Sequence, residues 1–210
     1  MKKSYCLAGR DYPTKAAVTA QCRSMLDGGP VDEVFLLDLL AMHPEYEQKV
    51  GVGVARFFVN PDGFGGRCFW LERLDGSKTD WSFRSCLTPP THEQEVRSAL
   101  RRLVMYQVLE FRDLAIETDA RCAITGIQVT RHSAHVDHRP PKTFLSLVES
   151  FLAEVGLTYE NISVQPTKDG STTTELCDVE LARRWQNFHA QHAVLQLTSA
   201  RANLSQGGGR

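Results

Sequence analysis

Apolar side chains follow two different rhythms along this chain, and the switch between them predicts where one domain ends and another begins. Residues 31–42, "VDEVFLLDLLAM", are apolar at 34–37, 39 and 40, dense enough for a mostly buried helix, with Asp32 placed to cap it. Pro44 disfavours helical geometry at His43, so that helix should stop there. "GVARFFVN" and "RCFWLERLDGSKTDWSFRSCL" instead alternate apolar or aromatic residues with polar ones around the turn signals "PDG" and "LDGS". The expectation is two or three antiparallel strands packed against the helix, a small α+β domain over residues 1–90.

The rhythm changes at "TPPTHEQEVRSALRRLVMYQVLEFRDLAIE". Pro89 and Pro90 end the strand pattern, and Thr91 and Gln94 have capping-box spacing. Val96, Leu100, Leu103, Val104 and Val108 then form a helical stripe, predicting one linker helix over 91–118. Its Arg97, Arg101 and Arg102 read as a solvated face, with phosphate contact as the lesser reading. From 119 to 210 come the short strands "RCAITGIQVT" and "AHVDH", then the helix "TFLSLVESFLAEVG" between a Thr143 cap and a Gly156 stop. "NISVQPTKDGSTTTE" reads as a polar loop or ragged hairpin. The helix "DVELARRWQNFHAQHA" places Leu181, Trp185 and Phe188 on one face. A strand, "AVLQLT", and a short helix capped by Ser199, "ARANLSQ", close the pattern.

Composition narrows the function classes. With 42% hydrophobic and 23% charged residues this is an ordinary globular chain, and no apolar run approaches the roughly 20 residues of a membrane span. The net charge of −1 supplies no global field for nucleic acid, so phosphate binding would rest on local Lys and Arg clusters. The six cysteines are at least sixteen residues apart, which excludes a CxxC zinc knuckle and a tight disulfide framework. "MKKSYCLAGRDYP" has a basic start but no apolar core, a poor signal peptide, so a cytoplasmic protein of prokaryotic or phage origin is expected. No membrane partner is expected. Oligomeric state is not legible, although a dimer is compatible with the sequence.

One stretch concentrates candidate chemistry. Three of the seven histidines (His132, His135, His138) fall in one seven-residue window, in and before "AHVDHRPPKTF". On a strand, His135 and Asp137 share one face while Val136 and His138 share the other. At a strand end that twists into Pro140-Pro141, adjacent side chains can still converge. A carboxylate is a hard ligand suited to Mg²⁺ or Mn²⁺, and a neighbouring neutral histidine can take a proton from water. Those are two requirements of metal-assisted phosphodiester hydrolysis. Asn203 on the terminal helix offers a second hard oxygen. His192 and Val194 lie on one face of "HAVLQLT", a strand able to pair with "AHVDH" into a compact ββα unit.

"CAITG…AHVDHRPPKTF" and "FHAQHAVLQLTSARANLSQG" resemble the two ends of an HNH endonuclease, the ββα-metal family. The resemblance implies Asp137 as ligand of one Mg²⁺ or Mn²⁺ ion, His138 as general base and Asn203 as the helix ligand. The family's central Asn falls at Val194 here, and His192 is its best substitute, His189 the next. The two CxxC pairs of many members reduce to Cys122, with Thr125, Ser199 and Ala202 at the other positions, so no structural zinc is expected. The lysine that often follows the helix ligand is replaced by "SQGGGR". Arg121, Arg131 or Arg139 could clamp a phosphate oxygen.

Residues 43–87 resemble the DCL-type domain, named from plant chloroplast-development proteins. His43, Pro44, Lys49, Gly51, Gly53, Arg67, Cys68, Phe69, Arg73, Asp75, Gly76, Ser82, Phe83 and Cys86 fit its pattern in order, with Trp81 and Ser85 departing from it. The resemblance implies nucleic-acid-associated roles. Independently, Lys49, Arg56, Arg67, Arg73, Lys78 and Arg84 alternate with Phe58, Phe64, Trp70, Trp81 and Phe83, a composition able to bind phosphates and stack bases. Core aromatics and solvated charges would explain the same alternation. The expectation is thus a divalent-metal-dependent endonuclease of 119–210 cutting DNA, double-stranded first and RNA second, with Arg139, Arg84 and Lys78 on the substrate. The alternatives are a catalytically decayed nucleic-acid-binding module and an RNA-processing factor.

Overall fold

In the computed structural model, which describes residues 4–61, 66–165, 169 and 174–206, the chain forms two compact units. One comprises Met1–Thr91 with Pro166–Thr174, the other His92–Gln165 with Glu175–Arg210. Phe64, residues 166–168 and 170–173 of the polar loop and the closing glycines lie outside the described residues.

The first unit opens with a hairpin, β1 (Tyr5–Leu7) and β2 (Arg10–Tyr12), followed by α1 (Lys15–Leu26). The α1 stripe is thin, only Val18, Cys22 and Met25 being buried. In α2 (Glu33–Leu40) the Asp32 carboxylate accepts the Phe35 N–H at 3.0 Å, the cap the sequence predicts, and Phe35, Leu36, Leu39 and Leu40 are fully buried. A short α3 (Tyr46–Val50) leads into β3 (Val54–Pro61), β4 (Arg67–Arg73) and β5 (Lys78–Trp81), an antiparallel sheet in that order. Phe57, Phe69, Leu71 and Trp81 face the core, their neighbours the other side. "SFRSCL", expected to continue the strand pattern, is a helical turn instead, α4 (Phe83–Leu87). The i, i+3, i+4 spacing of Phe83, Cys86 and Leu87 buries all three on one side.

Several residues of the DCL-like pattern form a structural clamp at the end of α3. Arg73 is buried, its Nε donating to Lys49 O at 2.9 Å and its NH2 to Gln48 O at 3.0 Å, so it caps α3 from the side. Within the same unit Asp169 pairs with this guanidinium through two 2.8 Å bonds. Gly51 sits beneath the arginine with φ +54° and ψ −120°, and a Cβ there would lie 2.9 Å from Arg73 Cδ. Gly51→Ala is expected to destabilise the protein by about 1–3 kcal/mol, read from its urea midpoint. An unchanged midpoint would refute the clamp.

The second unit holds α5 (His92–Leu103), α6 (Met105–Thr118), β6 (Ala134–His138), α7 (Phe144–Val155), β7 (Val164–Gln165), β8 (Glu175–Leu176), α8 (Val179–His192), β9 (Leu195–Ser199) and α9 (Ala200–Gln206). The one long linker helix predicted over 91–118 is therefore two helices. At the break Val104 N–H turns back to Arg101 O (3.4 Å), while the last carbonyls of α5 are taken by α8: Trp185 Nε1 donates to Leu100 O at 2.8 Å and Gln186 Nε2 to Leu103 O at 3.0 Å. Thr143 and Gly156 (φ 71°) bound α7 as expected. "RCAITGIQVT" is not a strand. It is a turn closed by Gly126 N–H to Cys122 O (2.8 Å), with a lone bridge between Arg121 and Gln128. The expected ragged hairpin is β7–β8, and the expected pairing of "AHVDH" with the last strand is β6–β9. Helices mixed with small antiparallel sheets make the fold α+β. Among the described residues, no helix is long and apolar enough to cross a membrane.

Candidate active site

β6 and β9 run antiparallel from Ala134↔Ser199 to His138↔Leu195, and α9 follows β9 directly, with Ser199 Oγ accepting the Ala202 N–H at 3.2 Å. The result is a ββα unit. Asp137 and His138 occupy its strand end, where pleating would send them to opposite faces. Both nevertheless line one cleft of about 650 Å³, as does Asn203 from α9.

Each of the three is held by neighbours. Asp137 is buried, and its Oδ2 accepts from Gln196 Nε2, its cross-strand partner, at 3.2 Å. Asn203 Nδ2 lies 3.4 Å from His135 Nδ1, so its amide nitrogen turns to the imidazole and its oxygen is left to accept a hydrogen bond or ligate a cation. His138 Nε2 lies 2.8 Å from His189 Nε2. His192, expected as the substitute for the central Asn, ends α8 rather than starting a strand, because the helical hydrogen bonding runs on to Ala193 N–H, and it packs on Phe188 with ring centroids 4.4 Å apart. The imidazole bonded to His138 belongs to His189, the second choice.

The tautomers follow from the donors. Gln107 Nε2 donates to Gln186 O (3.0 Å), which fixes its Oε1 as the acceptor facing His189 Nδ1 at 2.6 Å. His189 therefore carries its proton on Nδ1 and accepts at Nε2. His138 must donate from Nε2, so its lone pair resides on Nδ1. Burial, with the charge of His138 second, pushes the His189 pKa down to about 4. A histidine depressed below its ordinary value of about 6.5 binds its proton better unfolded than folded, so stability is full above 6.5 and drains as pH falls toward 4. The thermal midpoint should drop across that window in wild type and drop less in His189→Asn. Parallel curves would refute the assignment.

The cleft carries both signs of charge. Arg97 and Arg101 on α5 line the same cleft as Asp137, His138 and Asn203. Arg139, one of the expected substrate contacts, is exposed beyond the strand end, donating its backbone N–H to Val194 O at 2.7 Å, and is not one of the lining residues. Among the described residues, no group of three or more His, Cys, Asp or Glu comes together to hold a metal ion. A divalent cation would instead meet the Asp137 carboxylate and the Asn203 amide oxygen. That hard pair fits Mg²⁺ or Mn²⁺, for which water and phosphate fill most of the shell. Behind the site, Cys122 packs with Leu197 and Ala202, and Ala123 N–H reaches Leu197 O at 2.8 Å. The turn at 122–126 is therefore joined to β9 and α9 by apolar packing and one backbone bond. Gln107 and Gln196 were invisible in sequence because only the fold brings them to the site, whereas His135 was visible in the histidine window but without a role. The i, i+4 pair Arg97 and Arg101 was visible but looked like any solvated face.

In the first unit the expected basic and aromatic face divides in two. Trp81, Phe83, Lys49 and Arg73 are buried and structural. Phe58 and Trp70 stack on the other side of the sheet (6.2 Å), with Arg56 and Lys78 5.5 and 5.9 Å from the Phe58 ring and both paired with Glu72. Arg84 lies 5.9 Å from the Phe83 ring on α4.

Residues 29–87 match a family described as "Protein of unknown function (DUF3223)". Protein EMBRYO DEFECTIVE 514 of Arabidopsis thaliana is 39% identical over 64 residues, 30% of this chain and 32% of that protein. Protein DCL homolog, chloroplastic, of the same plant is 39% identical over 51 residues, 23% of each chain. The N-terminal region is a DCL-type domain. A solution NMR structure of an uncharacterized protein from Rhodospirillum rubrum is 31% identical over 41% of this chain and 89% of its own, with a TM-score of 0.38. The chain spans a third or less of the two plant relatives. The DCL-type domain accounts for α2 through α4, and the ββα cleft lies outside it.

Proposed function

We propose that the second unit is a divalent-metal-dependent endonuclease of the HNH kind that hydrolyses DNA, with the DCL-type domain aiding substrate recognition and the cytoplasm as its place of action. One observation carries this reading: Asp137, His138 and Asn203, from a strand end and a terminal helix, line one cleft. Asp137 and Asn203 hold one Mg²⁺ or Mn²⁺, which when bound supplies neutralisation of charge on the phosphate and the leaving oxygen. His138 takes the proton of the attacking water at Nδ1. His189 steadies the ring by accepting its Nε2–H, and Gln107 fixes His189 in the tautomer that can accept. Gln196 keeps the Asp137 carboxylate aimed. In the DCL-type domain the stacked Phe58 and Trp70, flanked by Arg56 and Lys78, offer a surface for bases and phosphates.

Supercoiled plasmid incubated with the full chain tests this. Nicking is expected with Mg²⁺ or Mn²⁺ and is abolished by EDTA. Intact plasmid under every divalent metal would sink it. One observation favours a second reading, a non-catalytic binding module: the central position holds Val194, apolar and exposed; an RNA-processing factor rests on the DCL-type resemblance alone. DNA binding in EDTA without cleavage selects the module, and cleavage of single-stranded RNA in preference to duplex selects the RNA factor.

A further inference from the structure

The α5 wall of the cleft carries chemistry that the proposed reaction does not use. Gln94, Arg97, Ser98 and Arg101 line the cleft at helical spacing, so one face of α5 borders the cleft that Asp137, His138 and Asn203 also line. The two arginines differ. Arg97 NH1 pairs with Glu93 one turn earlier, at 3.3 Å. Among the described residues, no carboxylate pairs with Arg101. Its guanidinium carbon instead lies 4.3 Å from the centre of the Phe144 ring, and that ring meets His138 edge-on at 5.4 Å. Arg101 is thus anchored on an aromatic plane beside the candidate base.

The guanidinium in that position is solvent-exposed, so its N–H donors face water and are open to a ligand. Stacking on Phe144 removes water from one of its faces and satisfies none of its five N–H donors. Arg97 raises the local positive potential without neutralising it. The ligand that suits such a fork is an anion with paired oxygens, and a phosphodiester presents two. A surface arginine that merely covers Phe144 would need no second guanidinium and no cleft shared with Asp137 and His138. We propose that Arg101, supported by Arg97, forms a phosphate-binding subsite for a nucleic-acid strand, setting the backbone against the wall that carries Asp137 and His138. The inference rests on the nuclease reading for its substrate class, but not on cleavage. It moves the substrate contact from Arg139 to a helix upstream of the ββα unit.

Binding of a fluorescein-labelled duplex oligonucleotide to the full chain in EDTA, followed by anisotropy from 50 to 200 mM salt, tests the subsite apart from the chemistry. Arg101→Gln is expected to weaken binding roughly tenfold at the low-salt end and to flatten the slope of log K against log salt by about 0.9, one phosphate contact fewer. Arg101→Lys keeps the slope and loses part of the affinity, because a point charge replaces the fork. Arg102→Gln makes the same charge change on a residue that does not line the cleft, and is expected to leave the slope nearly unchanged. Equal losses in the 101 and 102 variants, or none at 101, would overturn the subsite, as would wild type that fails to bind. If wild type binds through Arg101 yet cuts under no metal, the subsite stands and the nuclease reading falls. If it cuts while Arg101→Gln binds like wild type, the reverse holds. A melting temperature within a few degrees of wild type shows that Arg101→Gln is folded.

Discussion

His138→Ala is expected to nick supercoiled plasmid about 10²–10⁴-fold more slowly than wild type, the range for loss of a positioned general base. The size follows from how completely the ring is set. Gln107 fixes His189, His189 accepts from His138, and the lone pair falls on Nδ1, so a single tautomer is poised for proton transfer. Depressed to about 4, His189 is neutral near pH 7, so it would neither compete for the proton nor repel a cation in the cleft. The substitution also strands the buried His189 Nε2 without its donor, a cost of about 1–3 kcal/mol, so folding must be verified by circular dichroism. Added imidazole supplies a readout that a structural role would not move: it should restore part of the alanine variant's rate by filling the vacated space. Wild-type speed in His138→Ala would end the assignment.

Trp185→Ala is expected to cost about 3–5 kcal/mol, much of the stability of a typical domain. Trp185 is fully buried at the centre of the second unit, meeting Phe144, Phe151, Phe188 and His189 with ring centroids 5.2–6.1 Å apart. It also holds the end of α5 through its bond to Leu100 O, which no longer serves the helix at the Val104 break. The loss is therefore apolar burial and a capping bond together. The urea midpoint of the full chain measures it, and a change below about 1 kcal/mol would refute the role. Trp185→Phe keeps most of the packing and loses the Leu100 bond, so it should fall between the two. Because Phe144 carries Arg101 and His189 carries His138, both phosphate binding and cleavage should weaken as this core loosens.

Much of the fold was legible because local rules and tertiary needs agree. Asp32, Thr143 and Ser199 each cap the helix that follows, and a short side-chain oxygen before an apolar periodic run has few other uses. Alternation announced β3 to β5 because one face of that sheet is buried and the other is not. The sequence was silent where burial is thin, as in α1, and misleading where a carbonyl is satisfied from far along the chain. The break at Val104 depends on Trp185 and Gln186, more than eighty residues away. "RCAITGIQVT" looked like a strand because its apolar residues alternate, but it has a single bridge to hold it and turns instead.

The same division runs through the candidate site. Asp137, His138 and Asn203 could be named from residue type and order, since hard oxygen donors and a neutral imidazole at those places fit one kind of chemistry. Which histidine supports the base could not, because the choice turned on where α8 stops. Strand periodicity put His192 on the inner face, but the helix persists to His192 and gives the contact to His189, one turn back and buried. The arginines show the limit most clearly. In sequence Arg97, Arg101 and Arg102 are equivalent charges on one helix. Only packing gives Arg101 an aromatic plate and a place in the cleft, because a helix presents different faces to different neighbours and sequence does not say what those neighbours are.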